Sequence, residues 1–330
     1  MAEYKLTSRE NYRRVLEGKM PEWVPVTNLD VCTIKPRQVF SFVFEKDMTD
    51  MFGTKWILSP TDAGLAVDPK TPRLEDITQW EKWVTFPDLD AMPWESMAQK
   101  DLESVDPSKG TMLMSNAIGE LFIPLMDMLG FAEGLIAIAE EPETIMDFNE
   151  AVTEWRIRQI KKLLEYYHPD SFMIADDFCS EQGMMISPNT FRSMYLPFYK
   201  RMIDTIKEYD VPVEFHLCGK AAGGIEDLVD AGVDVWQSAQ WINDIPSYQK
   251  KYGKRLKYNG VWDTRGEGSM EGDSEEITRR GVRTCMDACA ENGTLIFWPG
   301  RNLGVSEDAQ TRFKWLLDEA YRYGHEIYKK

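Results

Sequence analysis

Short apolar runs alternate with longer amphipathic stretches from residue 112 to the end of the chain. The apolar runs read TMLMSNAIGE, SFMIADDF, VPVEFHLCG, VDVWQSAQ, RLKYNGVWD and TLIFWPG, and VPVTNLD near residue 25 adds a seventh. This alternation is typical of a parallel sheet covered by helices. Seven visible strands and one that the pattern misses would make the eight strands of a TIM barrel. We therefore predict an α/β fold in which residues 1–330 form a single (β/α)8 TIM barrel.

The N-terminal region is less regular than the rest of the chain. The segment between Lys46 and Glu95 is rich in Pro, Asp and Trp. We interpret residues from about 31 to 110 as an irregular excursion between early strands, not as a separate domain. A doubly wound sheet is the competing fold, but no G-x-G-x-x-G follows a strand here.

The net charge and the composition limit which partners the protein is expected to bind and in which compartment it is expected to occur. The chain has 38 Lys and Arg against 55 Asp and Glu, a net charge of −17. An acidic surface of this kind disfavours nucleic acid and anionic membranes as partners. Five scattered cysteines, the lack of a signal-type start and the lack of a long apolar run indicate a reduced, cytoplasmic protein with no membrane span.

Polar side chains follow the apolar body of every predicted strand. In a barrel these strand ends converge on the C-terminal mouth, where active sites lie. The residues concerned are Asn28, Asp30, Asn116, Glu120, Asp176, Asp177, Cys179, Glu181, His216, Cys218, Gln237, Gln240, Asn259, Asp263, Trp298 and Arg301. Their convergence predicts a functional site at the mouth.

His216 and Cys218 are two positions apart on a predicted strand, so their side chains point to the same side. An imidazole nitrogen and a thiolate are natural zinc ligands, and a catalytic zinc needs one more protein ligand and an open position. The alternative is a histidine that is hydrogen-bonded in the barrel mouth beside a buried cysteine. Spacing alone leaves both interpretations open.

Asp176 and Asp177 form a carboxylate pair at another strand end. Neighbouring strand residues point to opposite faces, so one of the two is expected to face the mouth. The other is expected to cap a loop or the following turn.

Three segments resemble the uroporphyrinogen decarboxylase superfamily, and more narrowly its corrinoid-dependent methyltransferase branch. They read RVLEGKMPEWVPV, ADDFCSEQGMMISPNTFRSMYLPFYKRM and VEFHLCG…DLVDAGVDVWQ, and the similarity also includes FGTKW and the PDLD segment. The H-x-C-G motif is fairly specific to the methyltransferase branch. The resemblance implies a (β/α)8 barrel with its site at the C-terminal mouth.

The chain departs from two branches of that superfamily. The decarboxylases hold substrate carboxylates with an arginine-rich segment after the first strand, where this chain has Asp30 and Cys32, with Arg37 nearby. The thiol-methylating members complete a zinc site with a later cysteine, and Arg301 stands at that position in FWPGRNLG. A guanidinium does not bind metal. Either a carboxylate such as Asp177 or Glu181 completes a zinc site, or no zinc binds.

The resemblance implies a methyltransferase that moves a methyl group from a small O-methylated compound, such as an aryl methyl ether, to the cobalt of a corrinoid carried by a partner protein. Zinc is a possible second cofactor, with His216 and Cys218 as its ligands. The expected catalytic residues are His216, Asp177 and Arg301. The expected substrate-binding residues are Asn116, Asp176, Glu181, Met184, Trp236, Gln237, Trp262 and Trp298. The alternatives are a zinc-dependent methylcobalamin:thiol methyltransferase, a decarboxylase of a small carboxylated substrate, and a non-catalytic binding protein.

Overall fold

The computed structural model describes residues 4–36, 48–58, 65–115, 119–300 and 306–329. Two predicted site residues, Asn116 and Arg301, lie outside these ranges. The strands are β1 (Val31–Ile34), β2 (Met48–Thr49), β3 (Lys55–Leu58), β4 (Leu65–Val67), β5 (Gly110–Met114), β6 (Ser171–Ala175), β7 (Cys179–Ser180), β8 (Gly183–Met184), β9 (Val213–His216), β10 (Val235–Ala239), β11 (Lys257–Val261) and β12 (Leu295–Trp298).

The helices follow the strands along the chain. They are α1 (Ser8–Leu16), α2 (Thr27–Asp30), α3 (Trp80–Trp83), α4 (Trp94–Leu102), α5 (Phe122–Leu129), α6 (Phe131–Glu140), α7 (Pro142–Tyr167), α8 (Pro188–Met194), α9 (Leu196–Lys207), α10 (Gly224–Ala231), α11 (Ile245–Tyr252), α12 (Glu275–Cys289) and α13 (Glu307–Glu326). Two 3-10 turns cover Ile77–Gln79 and Ile327–Lys329.

The main sheet has seven parallel strands in the order β1-β5-β6-β9-β10-β11-β12. Its two edges meet, because Val26, just before β1, forms a parallel bridge with Phe297 of β12. The Phe297 amide also donates to the Pro25 carbonyl at 2.8 Å. The sheet therefore curls into a TIM-barrel-like (β/α)8 fold surrounded by helices, which confirms the predicted fold class.

The first barrel strand begins later than the sequence pattern predicts. The pattern VPVTNLD predicts a strand ending at Asn28 and Asp30, but Thr27–Asp30 forms a short helical turn and the strand starts at Val31. The Asp30 carboxylate accepts hydrogen bonds from the Val26 amide at 2.8 Å and the Ser8 hydroxyl at 2.6 Å. Local side-chain bonds of this kind favour a turn over an extended strand.

The predicted N-terminal excursion contains a small antiparallel sheet in the order β2-β3-β4. Asp50 organises its first turn, because its Oδ1 accepts from the amides of Phe52 and Thr54 at 2.9 and 3.0 Å. Strand β1 belongs to the barrel sheet, so the excursion begins after β1 and not at residue 31.

Several helices begin at side-chain caps that the sequence encodes. Thr7 and Glu10 form a capping box at the start of α1. Ser187, Ser274 and Ser306 accept hydrogen bonds from the first turns of α8, α12 and α13. No single helix among the described residues is long and apolar enough to span a bilayer; α5 and α6, bent by 113° to one another, reach that length and composition only as a pair.

A buried polar network around Glu214 ties the barrel interior together. The Glu214 carboxylate accepts from the Tyr12 hydroxyl at 2.5 Å, the Ser171 hydroxyl at 2.7 Å and the Asn259 amide at 3.1 Å. Asn259 in turn accepts from the Thr27 hydroxyl at 2.7 Å. Buried polar groups are costly unless they are bonded in this way. The network therefore fixes α1 and α2 against β6, β9 and β11.

Candidate active site

A cavity of about 440 Å³ lies among the carboxyl ends of the barrel strands. Its walls consist of Thr27, Asn28, Val31, Thr33, Lys35, Met112, Met114, Met173, Ala175, Asp177, His216, Gln237 and Trp298. Lining positions two residues apart recur at the ends of β1, β5 and β6, as expected where alternate side chains of a strand face the barrel interior. The prediction of a site at the mouth is therefore matched by a cavity there.

Asp177 and His216 line this cavity, and Cys218 lies beside them. Their ligand atoms all lie within 4.8 Å of one another. The His216 Nε2 atom is 3.3 Å from the Cys218 Sγ atom and 3.9 Å from the Asp177 Oδ2 atom. We call these three residues the triad.

Hydrogen bonds orient each member of the triad. The Nδ1 atom of His216 bonds to the Oε1 atom of Gln237, and since that oxygen can only accept, Nδ1 carries the proton. The other ring nitrogen, Nε2, is therefore the one directed toward the other two members. The Cys218 amide donates to Asp177 Oδ1 at 2.8 Å, and the Cys218 Sγ atom lies 3.7 Å from the Ser238 hydroxyl.

The charges of the triad act on the His216 ring. Burial lowers the pKa of His216, but the neighbouring Cys218 and Asp177 and the bond to Gln237 raise it more, so that the pKa is about 9. With no metal bound, the ring is therefore held as an imidazolium between two acidic groups. A site that favours positive charge in this way also suits a metal cation.

The spacing of the triad fits zinc. Zinc binds imidazole nitrogen at about 2.0 Å and thiolate sulfur at about 2.3 Å, which places tetrahedral ligand atoms roughly 3.2 to 3.8 Å apart. The separation of 3.3 Å between His216 Nε2 and Cys218 Sγ lies within that range, and the 3.9 Å between His216 Nε2 and Asp177 Oδ2 lies just above it. The bond from Nδ1 to Gln237 is the outer-shell contact that commonly orients a metal-binding histidine.

Asp176, which the sequence predicts to bind substrate, does not line the cavity. It is buried and accepts from the amides of Leu121, Phe122 and Ile123 at 2.7 to 3.0 Å, at the start of α5. The Tyr199 hydroxyl donates a fourth bond at 2.7 Å. Burial raises the pKa of Asp176 to about 6 although these donors oppose the shift. Asp176 thus caps α5, while Asp177 faces the cavity.

Replacing Asp176 with Asn is expected to lower the free energy of unfolding by about 2–4 kcal/mol. The amide would turn an NH2 group toward donors and remove the charge that they stabilise. Urea denaturation measures the change. Asp177→Asn is the matched control and should stay within about 0.5 kcal/mol of the parent chain. Equal stability of the two variants would contradict the capping role.

Trp236 and Met184, which the sequence also predicts to bind substrate, lie outside the cavity wall. Trp236 is fully buried, and its Nε1 donates to the Leu217 carbonyl at 3.0 Å while its ring packs on Tyr248 of α11. It therefore faces the helix layer. Met184 belongs to the β7–β8 hairpin, where it pairs with Cys179.

Glu181 and Trp262 line a different, smaller pocket of about 60 Å³ beside the mouth. Glu181 is ion-paired with Arg265 at 3.0 Å, so Asp177, and not Glu181, is the carboxylate of the triad. Of the predicted substrate-binding residues that the structure describes, Gln237 and Trp298 line the main cavity. The Trp298 ring stands edge-on to the His216 ring, with centroids 6.2 Å apart.

Sequence reasoning missed eight residues of the cavity wall, namely Thr27, Val31, Thr33, Lys35, Met112, Met114, Met173 and Ala175. Met112 and Met114 are two apart in GTMLM, and Met173 precedes Asp177 by four positions. The strand alternation could have identified them, since residues at even spacing from an inward-facing residue share its side.

A barrel that places histidine, cysteine and aspartate around a cavity at its strand ends has the layout of a (β/α)8 enzyme. A family model described as uroporphyrinogen decarboxylase matches residues 121–317, more than half of the chain. The chain therefore belongs to the uroporphyrinogen decarboxylase family.

Two curated relatives match part of the chain. The uroporphyrinogen decarboxylase of Hordeum vulgare is 30% identical over 148 residues, which cover 44% of this chain and 44% of that protein. That of Picosynechococcus sp. is 30% identical over 125 residues, or 37% of this chain and 34% of that protein. The chain thus matches less than half the length of these curated relatives.

A solved structure, a methyltransferase from Methanosarcina mazei, aligns with a TM-score of 0.70 and covers 97% of this chain and 99% of that one. The sequence identity in this alignment is 12%, so the alignment shows a shared fold.

Proposed function

We propose that this protein is a methyltransferase of a corrinoid system. It takes the methyl group of a small O-methylated compound, an aryl methyl ether, and transfers it to the cobalt of a corrinoid carried by a separate protein. The observation that carries the proposal is the triad of Asp177, His216 and Cys218 at the wall of a methionine-lined cavity. The Methanosarcina protein of the same fold is called a methyltransferase, and the proposal assigns this chain to the same class.

In the proposed reaction, negative charge develops on the ether oxygen of the methyl donor. The bond between the methyl carbon and the ether oxygen breaks, and the methyl carbon bonds to cobalt(I), which supplies the electron pair. The oxygen keeps the pair of the broken bond and leaves as a phenolate, which then takes up a proton. Because a bare phenolate is a mediocre leaving group, the site must stabilise the developing negative charge.

The triad is the group that meets this requirement. Asp177, His216 and Cys218 would hold a zinc ion, and a bound zinc would act as a Lewis acid toward the leaving oxygen. With zinc bound, Gln237 would keep the one remaining proton of His216 on Nδ1 and leave Nε2 free to bind the metal. The hydrogen bond from the Cys218 backbone amide holds the Asp177 carboxylate beside His216 and Cys218.

The remaining walls suit a flat apolar donor. Met112, Met114 and Met173 line the cavity from β5 and β6, and Trp298 lines it from β12. Thioether side chains adapt to a ring and make favourable contacts with its edge. These side chains would also exclude water from the reacting carbon, which strengthens the electrostatic effect of the triad.

The cavity fits a decarboxylase of a highly carboxylated tetrapyrrole less well. Such a substrate needs several cationic side chains, and Lys35 is the one Lys or Arg among the described lining residues. The net charge of −17 adds no attraction for a polyanion.

The proposal is tested by incubating the protein with a cobalt(I) corrinoid protein and a panel of methoxylated aromatics. We expect methyl-cobalt absorbance to appear together with an equal amount of phenol. Asp177→Asn should lose most of this transfer while keeping its fold, because it removes one charge from the triad. Carbon dioxide release from a carboxylated compound without corrinoid would instead support a decarboxylase. Methylation of a thiol by methylcobalamin would support the thiol-methylating alternative.

A further inference from the structure

The side-chain amide of Gln237 has one end bound to His216. Gln237 of β10 stands opposite His216 in the parallel pairing with β9, and both residues line the cavity. The Oε1 atom of Gln237 accepts a hydrogen bond from the Nδ1 atom of His216. The amide nitrogen is therefore the end that is turned away from the His216 ring, and its two N–H groups are not used by this contact.

The amide nitrogen of Gln237 opens onto the cavity. Gln237 is 3% exposed, so almost all of the residue is covered. Its Nε2 atom has no hydrogen-bond partner among the residues that the structure describes, and it is not one of their fully covered side-chain atoms that lack a partner. The exposed part of the residue thus includes Nε2. Since Gln237 lines the main cavity, this nitrogen presents its N–H groups there.

The bond to His216 holds the amide nitrogen in place. Turning the amide over would bring its N–H groups against the N–H of His216 Nδ1, so the contact favours the observed orientation. Other polar groups that line the cavity are less suited to donate, because Asp177 carries a carboxylate that accepts and the Thr27 hydroxyl already donates to Asn259. A donor that is fixed before the ligand arrives stabilises developing negative charge without reorganising.

We propose, building on the proposed function, that Gln237 is a further catalytic residue whose Nε2 group donates a hydrogen bond to the leaving oxygen of the methyl donor. As the bond from the methyl carbon to the oxygen breaks, that oxygen keeps the electron pair and becomes a phenolate, and the amide keeps both of its protons. One side chain then has two tasks, because Oε1 orients His216 while Nε2 stabilises the phenolate. The loss of one such donor usually lowers turnover about 100- to 1,000-fold.

Two variants separate the two ends of the amide. Gln237→Glu keeps an oxygen that accepts from His216 Nδ1 and loses the N–H groups, whereas Gln237→Leu loses both and adds no charge. The probe is a nitrophenol, because its neutral and ionised forms absorb at different wavelengths and its binding needs neither corrinoid nor turnover. We expect each variant to raise the pKa of the bound nitrophenol by about 1 to 2 relative to the parent protein, the value of one hydrogen bond to a charged acceptor.

Three controls address the other effects of these substitutions. Gln240→Glu adds the same charge in the smaller pocket, keeps the acceptor of the Gly219 amide, and should leave the pKa of the bound nitrophenol unchanged. The chain has three histidines, so His216→Ala identifies the NMR signal of the His216 Nδ1 proton, which should persist in Gln237→Glu and be lost in Gln237→Leu. Titrations with chelator and with saturating zinc should agree in the direction of the change, which removes metal content as its cause.

Three results would overturn the inference. They are a parent protein that does not bind the nitrophenol, a Gln237→Leu variant that leaves the pKa of the bound nitrophenol unchanged, and an equal rise of that pKa in Gln240→Glu. If the nitrophenol results are as expected but no methoxylated donor methylates cobalt, the role of Gln237 in binding a phenolate stands and the proposed reaction fails.

Discussion

Replacing His216 with alanine is expected to lower methyl transfer by about two to four orders of magnitude, the range seen when a group that handles the leaving proton or charge is lost. The ring nitrogen Nε2 lies 3.3 Å from Cys218 Sγ and is the central member of the triad. Its removal would leave Asp177 and Cys218 without their shared partner. Initial rates of methyl-cobalt formation measure the effect.

The loss should depend on the donor. A methoxyarene with electron-withdrawing substituents yields a more stable phenolate and needs less help from the protein, so its rate should fall less in His216→Ala than that of a plain methoxyarene. Equal losses for all donors would mean that His216 only shapes the cavity.

Gln237→Leu is the companion variant, because it keeps the His216 ring but removes the partner that orients it. This variant should reduce metal affinity about 10- to 100-fold.

Replacing Cys218 with alanine is expected to abolish zinc binding. The parent protein, purified without chelator and reconstituted, should hold about one equivalent of zinc, and the variant less than about a tenth, because two protein ligands seldom retain zinc. Elemental analysis of both proteins gives the answer.

The chain offers a matched cysteine for this experiment. Cys179 is buried in β7, and burial raises the pKa of its thiol to about 12, so that it stays protonated and is a poor ligand. Cys179→Ala should keep the zinc of the parent protein. Zinc retained by Cys218→Ala, or a parent protein that takes up no zinc, would contradict the assignment of the triad as a metal site.

Much of the fold could be predicted from the sequence because each barrel strand is a short apolar run bounded by turn residues. The runs that hold β5, β6 and β9 to β12 were all found in this way. The first strand was misplaced because the turn at Thr27–Asp30 depends on contacts from distant residues, such as Ser8 to Asp30 and Thr27 to Asn259. A local sequence pattern does not reveal contacts between residues that are far apart in the chain.

The site could be predicted only in part, because strand alternation gives the direction of some side chains and not of others. Alternation along β9 put His216 and Cys218 on one side, and the Asp176–Asp177 pair was expected to divide between cavity and cap, as it does. Alternation alone does not tell which of the two faces inward, and it does not tell that Trp236 faces the helices. Glu181 lies between β7 and β8 and Trp262 directly follows β11, and both line a separate pocket with residues of the loops after β10 and β11.

We propose that the triad cavity transfers a methyl group from oxygen to cobalt. The most direct measurement follows a donor whose methoxy carbon is carbon-13, in a single turnover with a stoichiometric cobalt(I) corrinoid protein, by NMR. We predict that the label appears on cobalt in an amount equal to the phenol formed, and that Cys218→Ala gives neither product. A label that stays on oxygen, or phenol formed without methyl-cobalt, would contradict it.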